Sequence, residues 1–183
     1  MKHIMLDLET LSLKPTAAIV AIGACFFDPF ESYVHEDDTF YITVAPASSI
    51  AAGSHVDGDT IAWWMKQENS VRMSTFHCAP VPLVDALQAF AGFAWRSQEP
   101  VAIWGNGATF DNVVLRSAYE ACKLDAPWVY KNDKCYRTLI NLIRKETRPE
   151  YVTVGNYHNA KDDAVSQALH LQKIYRVLNL TAA

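Results

Sequence analysis

The stretch Met5-Leu6-Asp7-Leu8-Glu9-Thr10 sets two carboxylates two residues apart in an otherwise apolar segment. Lys2 to Leu8 reads as a short buried strand, and the period of two along a strand puts Asp7 and Glu9 on the same side of its sheet. Without partners they would repel each other and lose hydration. The arrangement makes physical sense chiefly when a highly charged cation sits between them. The plainer alternative ends the strand at Leu6 and leaves both acids in water. What decides between the two lies far downstream.

At 183 residues the chain is expected to form one domain, residues 1–183, with a substantial core of its own. Half of the residues are apolar and a fifth charged, which is ordinary globular composition. No run approaches the roughly 18 apolar residues of a membrane span. The residues before Asp7 are too few for a secretory apolar region, so no membrane association and a cytoplasmic location are expected. Cys25, Cys78, Cys122 and Cys135 are widely spaced, which suits buried reduced thiols rather than a zinc site or a disulfide framework. The formal net charge of -4 argues against a protein that coats duplex nucleic acid. The charge is uneven, however. Lys131, Lys134, Arg137, Arg144, Lys145 and Arg148 gather with only Asp133 and Glu146 among them. Such a cluster reads either as a solvated helix face or as a contact to a phosphate backbone.

The run Ala17 to Phe27, bounded by Pro15 and Pro29, has the length and β-branched content of a central strand. Thr39 to Val44 alternates and predicts a third strand, so the first three form an antiparallel meander. From Asp59 the period changes. Asp59 or Thr60 can cap a short helix carrying Ile61, Trp63, Trp64 and Met65, and a second helix is predicted from Pro82 to about Ser97. Pro100 to Trp104 then reads as a buried strand, parallel to the first because it follows a crossover helix. A helix from about Phe110 to Lys123 is predicted to turn Val113, Val114, Ser117, Ala118 and Ala121 inward. A last short strand at Lys134 to Tyr136, a helix from Thr138 to about Glu146, a loop from Pro149 to Asn159 and a helix from about Ala160 to Asn179 complete the chain. This order predicts an α/β sandwich with a mixed sheet.

Two further stretches bear on the opening acids. Asp111 falls where the strand ending at Trp104 gives way, through Gly105-Asn106-Gly107, to a helix. Ligand sites collect at that end of open α/β sheets, although a helix-capping acid explains Asp111 equally simply. The other stretch is His158-Asn159-Ala160-Lys161-Asp162-Asp163-Ala164. Asp163 opens a helix whose Ala164 and Ala168 are small enough for close approach to the sheet, so it can point at Asp7 and Glu9 with His158 in the preceding loop.

Asp7-Leu8-Glu9-Thr10, Asn106 to Asp111 (NGATFD) and His158 to Ala164 (HNAKDDA) stand in the order and spacing of the three motifs of the DEDDh 3'-to-5' exonucleases, within the ribonuclease H-like superfamily. The chain resembles that family from Ile4 to about Ile174. The Trp63-Trp64 pair and the wording NGATFDN look most like its phage-type branch, the DexA-like and exodeoxyribonuclease VIII-like enzymes. The resemblance implies a single exonuclease domain with a ribonuclease H-like three-layer fold, in which helices flank a mixed five-stranded sheet. It makes Asp7, Glu9, Asp111 and Asp163 the carboxylates that hold two Mg²⁺ or Mn²⁺ ions, and His158 the general base. Thr10, Leu11, Trp64, Asn106 and Phe110 become the expected substrate contacts. Asp162 is excluded as a ligand, since one helical step turns it about 100° from Asp163. Leu11-Ser12 departs from the family's commoner T-G, and three residues separate Asn106 from Phe110 where the commoner form has two.

Hard divalent ions take oxygen ligands, and a pair about 3.5 to 4 Å apart supplies both a nucleophile and a brace for the leaving oxygen. Four carboxylates without a cysteine suit that demand. Neighbouring acids should raise the pKa of His158 and bound ions should lower it. Stacking on Trp63, Trp64, Phe110 or Tyr157 would tolerate any base, with core packing the simpler account of Trp63 and Phe110. The expected partner is single-stranded nucleic acid, DNA in preference to RNA, and a homodimer is compatible with the apolar content. The competing readings are an exoribonuclease of the ribonuclease T or oligoribonuclease type, a non-catalytic nucleic-acid-binding module and a small-molecule phosphohydrolase.

Overall fold

The computed structural model describes residues 2–76 and 79–181, so Cys78 lies outside the described residues. Five strands form one sheet: β1 (Lys2–Thr10), β2 (Ile19–Phe27), β3 (Thr39–Thr43), β4 (Val101–Gly105) and β5 (Asp133–Cys135), in the order β3-β2-β1-β4-β5. The first three pair antiparallel, while β4 runs parallel to β1 and β5 parallel to β4. The mixed five-stranded sheet expected from the sequence is therefore the fold. Among the described residues seven α-helices accompany it: α1 (Pro46–Ala51), α2 (Gly58–Met65), α3 (Asn69–Phe76), α4 (Leu83–Trp95), α5 (Asp111–Ala121), α6 (Tyr136–Asn141) and α7 (Ala160–Val177).

Alternation along β1 sorts the core into two halves. Ile4, Leu6 and Leu8 face one way and pack with Leu87 and Phe90 of α4 and with Val114, Leu115 and Tyr119 of α5. Met5 faces the other way, beside Cys25 and Trp104, and meets Ala164, Ala168, Leu171 and Ile174 of α7. With helices over both faces the central strands are buried almost throughout, which is why β2 reads as an unbroken apolar run. The same alternation puts Asp7 and Glu9 on the α7 side. β1 continues past Leu8 because its pairing with β2 runs on to Thr10, with an irregular register between Glu9 and Thr10.

Several boundaries differ from the sequence expectation for local reasons. Asp57, not Asp59 or Thr60, caps α2, its side chain accepting from the backbone amides of both of those residues. The inner face of α5 is turned by about one residue. Leu115 and Tyr119 are buried and Val113 is exposed, because the buried Asn112 donates to Ile103 O and to Asp133 Oδ1 and fixes the helix's rotation. The helix α6 stops at Asn141, and a single 3₁₀ turn at Lys145–Thr147 replaces its expected second half. Among the described residues no helix is long and apolar enough to cross a membrane.

The approach of α7 to the sheet rests on one residue. Gly23 lies opposite Asp7 in the β1–β2 ladder. A Cβ at Gly23 would sit 2.0 Å from the carbonyl carbon of Ala160. Only glycine lets the start of α7 lie against β2, and Asp163 is brought within reach of β1 by that contact. Gly23→Ala is accordingly expected to lower stability by roughly 1 to 3 kcal/mol, or more if the helix cannot shift. Chemical denaturation of the purified variant measures it, and a loss under about 0.5 kcal/mol, the usual range of a neutral surface change, would show that the approach is not tight.

Candidate active site

Asp7, Glu9, Asp111, His158 and Asp163 all line one cavity of about 560 Å³. They reach it from separate elements: the end of β1, the first residue of α5, the loop before α7 and the first turn of α7. Glu9, His158 and Asp163 each offer a ligand atom, and these three atoms lie within 4.8 Å of one another. Asp7 Oδ1 accepts from Gln167 Nε2 at 2.8 Å. Asp163 Oδ2 accepts from the backbone N–H of His158 at 3.0 Å, a bond that ties the loop to the helix. His158 holds a positive φ of 62° to make that turn. Backbone amides of Asp111, Leu8 and Asn106 favour the Asp111 anion, and its carboxylate lies close to β4 because Gly105 has no side chain, a Cβ there falling 3.1 Å from Asp111 Oδ2.

Four acids in one partly dry cavity oppose each other's ionisation. Burial, with Asp163 and Asp111 adding repulsion, pushes Glu9 up to about 9. Burial raises Asp7 well above the usual carboxylate range, with Asp111, Glu9 and Asp163 contributing. Asp111 rises to about 7 and Asp163 to about 6, burial outweighing the amides that stabilise each anion. His158 moves the other way. Burial lowers its pKa, where neighbouring carboxylates had been expected to raise it. The cavity therefore presents four carboxylates and an imidazole, with no thiolate among its lining residues. Those properties fit a hard divalent cation and fit zinc-thiolate chemistry poorly.

The expected substrate contacts divide. Asn106 and Phe110 line the cavity. Thr10, Leu11 and Trp64 do not, and their polar groups are engaged inside the protein. Trp64 is 3% exposed and its indole N–H donates to Thr10 O at 2.9 Å. Thr10 Oγ1 donates to Ser12 O, the Leu11 amide donates to Ala18 O, and Leu11 O accepts from the Asp57 amide. Its fully packed ring leaves Trp64 no face for a base. The neighbouring Trp63 is 41% exposed, and its ring meets His158 edge-on at a centroid distance of 5.0 Å. The exposed Tyr157 ring lies 4.1 Å from the His158 centroid. Leu11 and Trp64 instead border a separate apolar groove with Met65, Met73 and Phe76.

Sequence reading missed Gln167, Tyr151 and Arg137 as lining residues of the cavity. Gln167 carried a usable signal, standing one helical turn after Asp163 on the same face of α7. Arg137 was marked only as a member of the basic cluster, and Tyr151 not at all, because a loop and a one-and-a-half-turn helix have no period from which a direction can be read. Asp162 turns away from the cavity as expected and accepts from the Asn156 amide.

The family model described as the 3'-5' exoribonuclease Rv2179c-like domain matches residues 2–175. No curated protein sequence matches. Among solved structures, the nuclease domain of 3'hExo, a DEDDh family member bound to rAMP, superposes with a TM-score of 0.64 at 12% identity, over 96% of this chain and 92% of that one. Exonuclease I of E. coli in complex with a dA16 oligonucleotide gives 0.57 at 16% identity, and this chain, 97% covered, spans only 42% of it. The Mg²⁺- and Mn²⁺-bound form of S. pombe Pop2p gives 0.58 at 10% identity, over 94% of this chain and 82% of that one. At such identities the likeness is one of fold, and nothing among these matches singles out the phage-type branch. With the family model covering nearly the whole chain, the protein belongs to the Rv2179c-like 3'-5' exoribonuclease domain family and is a 3'-5' exonuclease of the DEDDh type.

Proposed function

We propose that the protein removes nucleotides one at a time from the 3' end of single-stranded RNA, releasing nucleoside 5'-monophosphates. In this reading Asp7, Glu9, Asp111 and Asp163 hold two Mg²⁺ or Mn²⁺ ions and His158 is the general base. The observation that carries it is the convergence of four carboxylates and one neutral imidazole, from four parts of the chain, on one cavity. RNA is preferred because the matching family is described by exoribonuclease activity. Single-stranded DNA is the second reading, favoured by the phage-type wording of the second motif and by the DNA-bound neighbour of the same fold.

The ions, when bound, supply a stronger oxygen nucleophile at neutral pH and stabilise charge on the departing 3'-oxygen. The chain's own residues do the rest. His158, kept neutral by burial, accepts a proton from the attacking water. Trp63 and Tyr157 flank its ring and limit the directions in which it can turn. Gln167 fixes one oxygen of Asp7, so the other is free to point into the cavity. Phe110, half-buried at the start of α5, offers an apolar edge beside the acids.

A 5'-labelled RNA oligonucleotide and its DNA counterpart, incubated with Mg²⁺, Mn²⁺ or EDTA, should give a ladder that shortens from the 3' end, faster on RNA and absent in EDTA. Asp7→Asn should abolish the ladder, and His158→Ala should slow it by about 10² to 10⁴-fold, the usual worth of a general base. Activity on DNA alone would overturn the RNA preference, and a ladder unaffected by Asp7→Asn would overturn the proposed site.

Stability should follow the same groups. Carboxylates whose pKa is higher in the folded state than in the unfolded chain bind extra protons when folded. Their contribution is present below about 4, and it is lost as pH climbs through about 6, 7 and 9, the folded values of Asp163, Asp111 and Glu9. In EDTA the denaturation midpoint should be lower at pH 8.5 than at pH 5.5, and added Mg²⁺ should recover more at the higher pH. A midpoint equal at both pH values would contradict the electrostatic account.

A further inference from the structure

The basic residues between Lys131 and Arg148 are not accounted for by the hydrolytic chemistry. Two of the six reach the acidic cavity: Arg137, the second residue of α6, and Arg148 in the loop beyond that helix. Arg148 is half-buried and anchored. Its Nη2 donates to Ile140 O at 3.1 Å and to Ile143 O at 3.3 Å, and its buried Nε has no protein partner. Arg137 is exposed at the rim, and among the described residues no hydrogen bond or ion pair engages its guanidinium. The plane rests against Gly107, where a Cβ would lie 3.5 Å from Cζ and from Nη1. Gly107 has a φ of 113° and belongs to the turn that leads to Asp111, a backbone conformation that favours glycine.

An arginine beside four carboxylates would ordinarily close an ion pair with one of them. Arg137 acts on Asp111 only through space, and its five N–H donors remain available at the mouth of the cavity. A nucleic-acid strand carries one negative charge per nucleotide. Within the proposed site, the charge of the phosphate being cleaved is met by the cations that the carboxylates hold. The next phosphate toward the 5' side has no such partner, and it must pass the rim as the strand leaves the cavity. A planar guanidinium with free paired donors matches a phosphate in shape and charge better than a lysine would.

We propose that Arg137, supported by the fixed charge of Arg148, binds the phosphate one step upstream of the bond being cleaved. The enzyme then grips a strand at two consecutive phosphates and discriminates against 3' ends that lack the second. This inference rests on the carboxylates being the cation site, and its test separates the two.

A dinucleotide with a 5'-phosphate carries that second phosphate; the same dinucleotide with a 5'-hydroxyl does not. The wild-type protein with Mn²⁺ should prefer the phosphorylated form by at least tenfold in kcat/KM. Arg137→Ala should reduce the preference to under threefold, Arg137→Lys should restore part of it, and Lys145→Ala, an exposed member of the same cluster outside the cavity, should leave it intact. Equal losses on both dinucleotides in Arg137→Ala, or no preference in the wild type, would overturn the proposal. Should the wild type hydrolyse neither dinucleotide, the oligonucleotide ladder still decides on the cavity and binding alone decides on Arg137. Anisotropy of a labelled oligonucleotide in the Asp7→Asn background should then give a plot of log affinity against log salt that is shallower by about 0.7 when Arg137→Ala is added, the worth of one single-strand phosphate contact. An unchanged slope would overturn the proposal on that arm.

Discussion

The burial of four carboxylates in one place is the constraint on which the structure depends. Asp7, Glu9, Asp111 and Asp163 share one cavity, and each is pushed toward its protonated form. A fold optimised only for stability would not gather them, because each acid in such a place opposes folding unless it is neutralised. In the proposed function the cost is tolerated because the sheet and two helix starts hold the acids where divalent cations would enter. Strain of this kind at a working site, offset by a well-packed core elsewhere, is a common division of labour in enzymes.

The scaffold meets the constraint with small residues and fixed polar partners. Gly23 and Ala160 let the start of α7 touch β2, and Gly105 lets the start of α5 fold back under the end of β1. Asn112 sets the rotation of α5 by bonding to Ile103 O and Asp133, which aims the adjacent Asp111 at the cavity. Gln167 reaches across to one carboxylate oxygen of Asp7, and the His158 amide takes one of Asp163 within the same turn. These bonds orient the acids without cancelling their charge. Arg137 and Arg148 line the same cavity, and in the proposed function a polyanion would meet attraction at the entrance and neutralised acids within.

Much of this was legible in the sequence because the relevant signals are local and periodic. Two acids on an apolar strand, a glycine turn before Asp111, and small alanines after Asp163 each follow from the period of two in strands or from the close packing of helices on sheets. Other features were not legible. Trp63 and Trp64 are adjacent, and the apolar period of α2 does not say which ring faces inward; the cap at Asp57 decides the helix phase and buries Trp64. Val113 was expected inside for the same reason, and the polar contacts of Asn112 override the apolar pattern. The helices α1 and α3 went unread because the one residue each buries is small and polar, Ser49 or Thr75, and leaves no apolar stripe to read. Leu11 and Thr10 were expected at the substrate by position in the motif. Their hydrogen bonds to Ala18, Asp57, Ser12 and Trp64 are long-range or turn contacts that no local pattern encodes.

The central claim is that the clustered carboxylates hold protons which a divalent cation displaces. Isothermal titration of Mn²⁺ into the metal-free protein at pH 7, repeated in buffers of different ionisation enthalpy, counts the protons released per cation bound. The account predicts saturable binding with net proton release of about one or more per chain, since cation ligands must be deprotonated. Binding with no proton release, or no binding at millimolar Mn²⁺, would contradict it.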